Sequence, residues 1–168
     1  MIPIKSFKTR RQKMLSTMQN GVAIIATAPE QLRNRDAHYP YRFDSYFYYL
    51  TGFAEPDSVL VMAAETSESP GKHILFCREK DTEREIWDGF RYGPEAAKEA
   101  FDFDETYPIS SLDEVLPKLL EDQSTVYSPL GQNAVWDTRI TGWINQVREK
   151  ARSGVIAPTE IRDCRVLL

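Results

Sequence analysis

The chain has 168 residues, 42% of them hydrophobic and 27% charged, which is the size and composition of one globular domain with a real core. Its formal net charge of -4 comes from 21 basic against 25 acidic residues, and that mild acidity argues against nucleic acid as a partner. No apolar run reaches membrane-spanning length and the N-terminal MIPIKSFKTRRQKML lacks the apolar core of a signal peptide, so no membrane partner is expected and the cytoplasm is the expected compartment.

Ser6 is placed to cap a helix running to about Gln19, with Phe7, Met14, Leu15 and Met18 on one face at helical spacing. Arg10, Arg11 and Lys13 fall on what should be its solvated side. Asn20-Gly21 stops it, because both residues tolerate the left-handed conformation. Residues 21–26, GVAIIA, read as a strand, and unbroken apolarity implies cover on both faces. A loop holding Pro29 then leads to Asn34 and Asp36.

Between Tyr39 and Phe53, eight aromatic residues fall within 15 positions. Tyr39-Pro40-Tyr41-Arg42 reads as an extended turn, since a residue before proline is pushed out of the helical region. Residues 45–50 read as a β-prone aromatic run closed by Thr51-Gly52. Such rings either enter the core or form a rim facing a partner, and alternate residues of a strand could do both. Arg42 is expected to form a structural ion pair.

After a turn at Glu55-Pro56-Asp57, residues 58–63 and 73–77 read as two strands of a hairpin joined by the polar ETSESPGK. The charge run at 78–85 reads as a solvated loop or a short helical turn. Gly93-Pro94 opens a helix through about Phe101, with proline at a tolerated early position. A short strand at 105–109 follows, then a helix with Ser111 and Glu114 as a capping box and Leu112, Val115, Leu116, Leu119 and Leu120 along it. Pro117 should kink that helix or delay its start. A strand at 125–128 precedes an amphipathic helix marked by Trp136, Ile140, Trp143, Ile144 and Val147 and ending near Gly154. Strands alternating with helices predict an α/β domain, and the central hairpin predicts a mixed β-sheet flanked by helices.

Chemistry-bearing residues are sparse. His38 and His73 are the only histidines, and neither sits in a metal-ligand spacing. Asp102 and Asp104 could share one face of a strand, although a solvated loop explains them better. Cys77 and Cys164 form no spaced motif and read as buried free thiols. There is no nucleophile elbow and no phosphate-binding loop, so nothing amounts to a self-sufficient active site.

Four ordered blocks stand out: D-x-x-Y-P-Y-R at 36–42, S-x-F-x-Y-L-T-G-F at 45–53, E-P-D-x-V-L-V at 55–61 and E-I-W-D-G-x-R-x-G at 85–93. With them the chain resembles the N-terminal domain of the Xaa-Pro aminopeptidases (aminopeptidase P), in the creatinase and prolidase pita-bread superfamily. The resemblance implies a ribonuclease-H-like layered arrangement for residues 1–156, and makes 157–168 the start of a connection to a later catalytic domain. Catalysis would belong to that later domain, on a dinuclear manganese centre none of whose ligands can be assigned to a residue here. The implied substrates are peptides with proline at the second position, from which the N-terminal residue is released. The implied full-length enzyme is a homo-oligomer whose N-terminal domain supports assembly and shapes the substrate pocket.

Trp87, in the E-I-W block, and Asp36, ahead of Y-P-Y-R, are the substrate-binding candidates that the resemblance supplies. An indole offers a flat apolar wall to a proline ring, and a carboxylate can orient a peptide amine or pair with an arginine. The plainer alternatives are a core Trp87 and an Asp36 that caps a turn. Two other readings of the whole chain are an interaction module of a non-catalytic pita-bread relative and a free-standing hydrolase.

Overall fold

Strand β1 (Val22–Ala26) lies inside a six-stranded sheet, in a computed structural model that describes residues 1–18 and 20–168. Helix α1 (Ile4–Thr17) precedes it. A small hairpin of β2 (Leu32–Asn34) and β3 (Ala37–His38) follows, then helix α2 (Ser45–Thr51). Next come β4 (Val59–Ala63), β5 (Lys72–Cys77), helices α3 (Thr82–Asp88) and α4 (Gly93–Phe101), and β6 (Glu105–Pro108). The chain continues with α5 (Leu112–Leu120), β7 (Thr125–Ser128), α6 (Ala134–Arg148) and β8 (Glu160–Asp163).

The sheet order is β6-β5-β4-β1-β7-β8. Strand β4 runs antiparallel to both β1 and β5, and the other pairings of this six-stranded sheet are parallel. The sheet is therefore mixed, as the hairpin reading required. Alternation along the strands builds two cores. Val22, Ile24, Val59, Val61, Ile74 and Phe76 pack against α5 and α6 through Leu116, Leu120, Ile140, Trp143 and Val147. Ala23, Ile25, Leu60, Met62, Leu75 and Cys77 pack on the other side against Met14, Phe47, Leu50, Ala97 and Phe101 of α1, α2 and α4. Helices on both faces explain why the central strands are apolar at every position.

The aromatic run at 45–50 is a helix, contrary to its β propensity. Asp44 Oδ1 accepts the Phe47 N–H at 2.9 Å, capping α2, and Gly52 at φ 69° ends it. Phe47, Leu50 and Thr51 are buried at i, i+3 and i+4, so burial follows the helical period and overrides strand propensity. At the N-terminus α1 begins at Ile4, with Pro3 in the cap position and Ser6 inside the first turn. Its expected end at Gln19 lies outside the described residues.

The largest correction concerns Arg11, which is fully buried at 0% exposure. Its guanidinium donates to the Leu50 carbonyl at 3.0 Å, to Phe101 O at 3.1 Å and to Asp102 O at 2.7 Å, and lies 4.3 Å from the Phe103 ring centroid. The C-terminal ends of α2 and α4 carry carbonyls without helical donors, and one cation satisfies both. Arg42, by contrast, is exposed and forms no ion pair among the described residues.

The structure decides three further elements. The charge run at 78–85 is partly helical, since Asp81 caps α3 by accepting the Arg84 N–H at 3.0 Å. Ser111 caps nothing; its hydroxyl bonds Pro108 O at 2.8 Å within a 3-10 turn that leads into α5. Pro117 stays inside α5, buried with Leu116 and Leu120, so packing outweighs the missing helical hydrogen bond. Within the tail, residues 160–163 pair with β7 as the outermost strand.

Candidate functional site

The segment 85–93 follows from the end of α3. Gly89, at φ 87° and ψ 178°, terminates the helix in a conformation that L side chains rarely adopt. No residue of α3 is buried. Ile86, Trp87 and Phe90 stand 78%, 87% and 64% exposed. Trp87 is therefore not a core residue. Three large apolar side chains close in sequence are thus left in water and forfeit a sizeable burial gain.

This segment is held by carboxylates. Glu85 Oε1 accepts the Arg91 backbone N–H at 2.9 Å and the Lys80 ammonium at 2.6 Å. Lys80 also donates to the Arg91 carbonyl at 2.7 Å and lies 4.3 Å from the Phe90 ring centroid. Glu55 Oε1 accepts the Tyr92 N–H at 2.7 Å, and its other oxygen faces Arg78 at 3.4 Å. Tyr92 stacks edge-on against both Phe90 and Phe101, with centroids 5.0 and 5.1 Å apart, which ties the segment to the core. The Arg91 amide, then Lys80, holds the Glu85 carboxyl below the usual carboxylate range.

Asp36 lies in the turn between β2 and β3, exposed, beside Arg35 at φ 49°. Among the described residues it caps nothing, and no hydrogen bond or ion pair joins it to segment 85–93. His38 is exposed in β3. His73 is buried and accepts from Arg11 Nε at its Nδ1, 3.4 Å away, so its own proton sits on Nε2. Burial, then the Arg11 charge, pulls His73 down to about 4. Burial pushes both Cys77 and Cys164 up to about 12, which makes them poor nucleophiles.

Among the described residues no group of three or more His, Cys, Asp or Glu side chains could hold a metal ion. A cavity of about 150 Å³ opens beside the ends of β1 and β7, lined by Thr27, Asp44, Ser128, Gln132 and Trp136 among others. Its one carboxylate, Asp44, is engaged in capping α2 and in accepting Gln132 Nε2 at 2.9 Å. No helix among the described residues is long and apolar enough to cross a membrane. Sequence reasoning singled out Trp87 but missed the residues that hold its segment. Glu55 had been absorbed into a turn, and Lys80 and Glu85 into a solvated charge run, although E-P-D and E-I-W were both visible as blocks.

Comparison with known proteins matches residues 7–127 to the family described as "Aminopeptidase P, N-terminal domain". The chain is 36% identical over 162 residues to the Xaa-Pro aminopeptidase of Escherichia coli, a match covering 96% of this chain and 36% of that protein. Among solved structures it is similar to Pseudomonas aeruginosa aminopeptidase PepP, with TM-score 0.93 and 41% identity over 99% of this chain and 38% of that one. It is also similar to E. coli aminopeptidase P with the inhibitor Pro-Leu, with TM-score 0.92 and 35% identity over 99% of this chain and 38% of that one. The chain thus spans little more than a third of the length of these relatives.

Proposed function

Since the chain belongs to the aminopeptidase P N-terminal domain family, we propose that it serves as the non-catalytic N-terminal domain of a Xaa-Pro aminopeptidase, a cytoplasmic homo-oligomer. The enzyme would release the N-terminal residue from peptides with proline at the second position. The dinuclear manganese centre expected of such an enzyme would supply an activated water. The described residues here do not fit that centre, because the two histidines stand apart, His73 buried against Arg11 and His38 exposed on β3, and no ligand cluster forms. No step of hydrolysis is therefore assigned to this chain.

The observation that carries the domain's own part in the activity is the outward Trp87, 87% exposed on a segment fastened by Glu85 and Glu55. A prolyl ring is apolar and its nitrogen carries no proton once acylated, so its recognition rests on shape and an apolar wall more than on hydrogen bonds. An indole presented from a neighbouring subunit supplies such a wall. Asp36, on its exposed hairpin, is proposed as the polar counterpart that orients a peptide amine or an arginine. The connection towards the catalytic domain is proposed to start within residues 157–168, of which 160–163 still pair with β7 and Cys164 still packs in the core.

The test is Trp87→Ala in the full-length enzyme, assayed on a proline-containing peptide. The kcat/KM should fall by about 1–3 kcal/mol in transition-state terms, the range for a changed pocket contact. Thermal unfolding should be unchanged, because an exposed side chain leaves no cavity. An unchanged kcat/KM refutes the assignment.

A further inference from the structure

Helix α3 has no buried residues, yet the Glu85 side chain within it is only 14% exposed. Its carboxylate turns inward to the backbone of the segment that follows. Oε1 receives the Arg91 N–H six residues later and the Lys80 ammonium five residues earlier, and Lys80 closes the ring by donating to the Arg91 carbonyl. An exposed Lys–Glu pair alone would contribute little. A carboxylate accepting a backbone N–H is a stronger, charge-assisted bond with a fixed direction, and it fixes where the chain goes after α3.

Glu85 and Trp87 are two positions apart on a helix that turns about 100° per residue, so they point to nearly opposite sides. A carboxylate fastened inward therefore places the indole outward. A helix of seven residues is marginal by itself. At its end, Gly89 at φ 87° has nothing within 4 Å of where a Cβ would be, so local packing does not restrain that hinge. The restraint comes from the polar contacts of Glu85, Lys80 and Glu55 with Arg91 and Tyr92, together with the Arg91–Asp88 pair and the Tyr92 ring packed on Phe90 and Phe101.

We infer that Glu85 is a positioning residue for peptide hydrolysis, clamping the Arg91 amide so that Trp87 is presented ready-made to the substrate pocket. This rests on the proposed place of Trp87 at the edge of that pocket. Glu85 itself need not touch the peptide, because its bonded oxygen faces its own chain. The advantage is pre-organisation: the ordering of the segment is completed before the substrate arrives.

The experiment uses the full-length enzyme and compares Trp87→Ala, Glu85→Ala, Glu85→Gln and the Trp87→Ala/Glu85→Ala double variant. The readouts are kcat and KM on a proline-containing peptide, together with hydrogen exchange at the Arg91 and Tyr92 amides. Glu85→Ala should speed exchange at Arg91 and lower kcat/KM roughly 3–10-fold, mainly through KM, which is less than the roughly 10–200-fold expected when the apolar contact itself is lost. Glu85→Gln, which keeps an acceptor oxygen, should recover most of that loss. In the Trp87→Ala background Glu85→Ala should have no further effect on kcat/KM. If Trp87→Ala impairs the enzyme while Glu85→Ala does not, or if the two losses simply multiply, the positioning role is overturned and the reading of Trp87 survives. If Trp87→Ala is silent, both fall. Should Glu85→Ala fail to accumulate, Lys80→Met removes the second contact from a half-exposed side chain and should move exchange and KM in the same direction; no movement in either overturns the inference.

Discussion

Replacing Arg11 with methionine removes a buried cation while keeping most of the apolar stem, so it isolates the guanidinium. The change strips a donor from Leu50 O, Phe101 O and Asp102 O, which are bonded at 3.0, 3.1 and 2.7 Å. Hydrogen bonds to a charged group contribute about 1.5–3 kcal/mol each net of desolvation, but bonds that share one guanidinium do not add, so the set is worth about 3 kcal/mol. That net figure already contains the cost of burying the charge, whose sign shows in the Arg11 pKa, lowered by burial to about 10 despite Asp102 and Asp104. The net loss should be about 3 kcal/mol, or a fall in Tm of roughly 6–12 °C for a domain of this size. Urea and thermal unfolding of the chain with and without Arg11→Met measure it. Arg11→Lys should also destabilise, because an ammonium cannot reproduce a planar fork that reaches the ends of both α2 and α4. A loss below about 1 kcal/mol for Arg11→Met, or a lysine variant equal to the parent, would refute this account of how those helix ends are joined.

His73 predicts a pH dependence of stability. Its folded pKa, about 4, lies below the ordinary 6.5, so the unfolded chain binds the extra proton first as pH falls; stability is full above about pH 6.5 and declines towards about pH 4, by up to about 3 kcal/mol. Asp104, Asp102, Arg11 and Lys8 face this imidazole, and His73→Gln should flatten the slope between about pH 4 and 6.5; an unaltered slope would place its origin elsewhere. Cys77 and Cys164, both fully buried with thiols raised to about 12, should resist an aromatic disulfide reagent in the native state and react rapidly in denaturant; fast native labelling would contradict their burial.

Much of the fold was legible because it follows local rules. GVAIIA reads as a doubly covered strand, and the buried Val22, Ala23, Ile24 and Ile25 confirm it. The helix through Ile140, Trp143, Ile144 and Val147 buries those residues, as its spacing demands. The aromatic run misled because ring-rich segments favour strands on average. Its true signals were nonetheless written there: Asp44 as a cap, Gly52 as a stop, and a burial period of three and four. The edge strand β8 had no such signal, since three of its residues are exposed and show no apolar alternation.

The sequence by itself determined most of the elements, though not α2, β2, β3 or β8, together with the two apolar faces of the central strands and, through its ordered blocks, the family. Those are properties of side chains at fixed spacings, which survive without three-dimensional information. Tertiary structure decided that Arg11 is interior and Trp87 exterior, against the ordinary habits of both residue types. The partners of Arg11 are main-chain carbonyls from remote helix ends, and Arg91 and Tyr92 engage Glu85 and Glu55 through backbone N–H groups. Every residue but proline carries both of these backbone groups, so no sequence pattern marks which of them will meet a buried charge; only the path of the folded chain selects them.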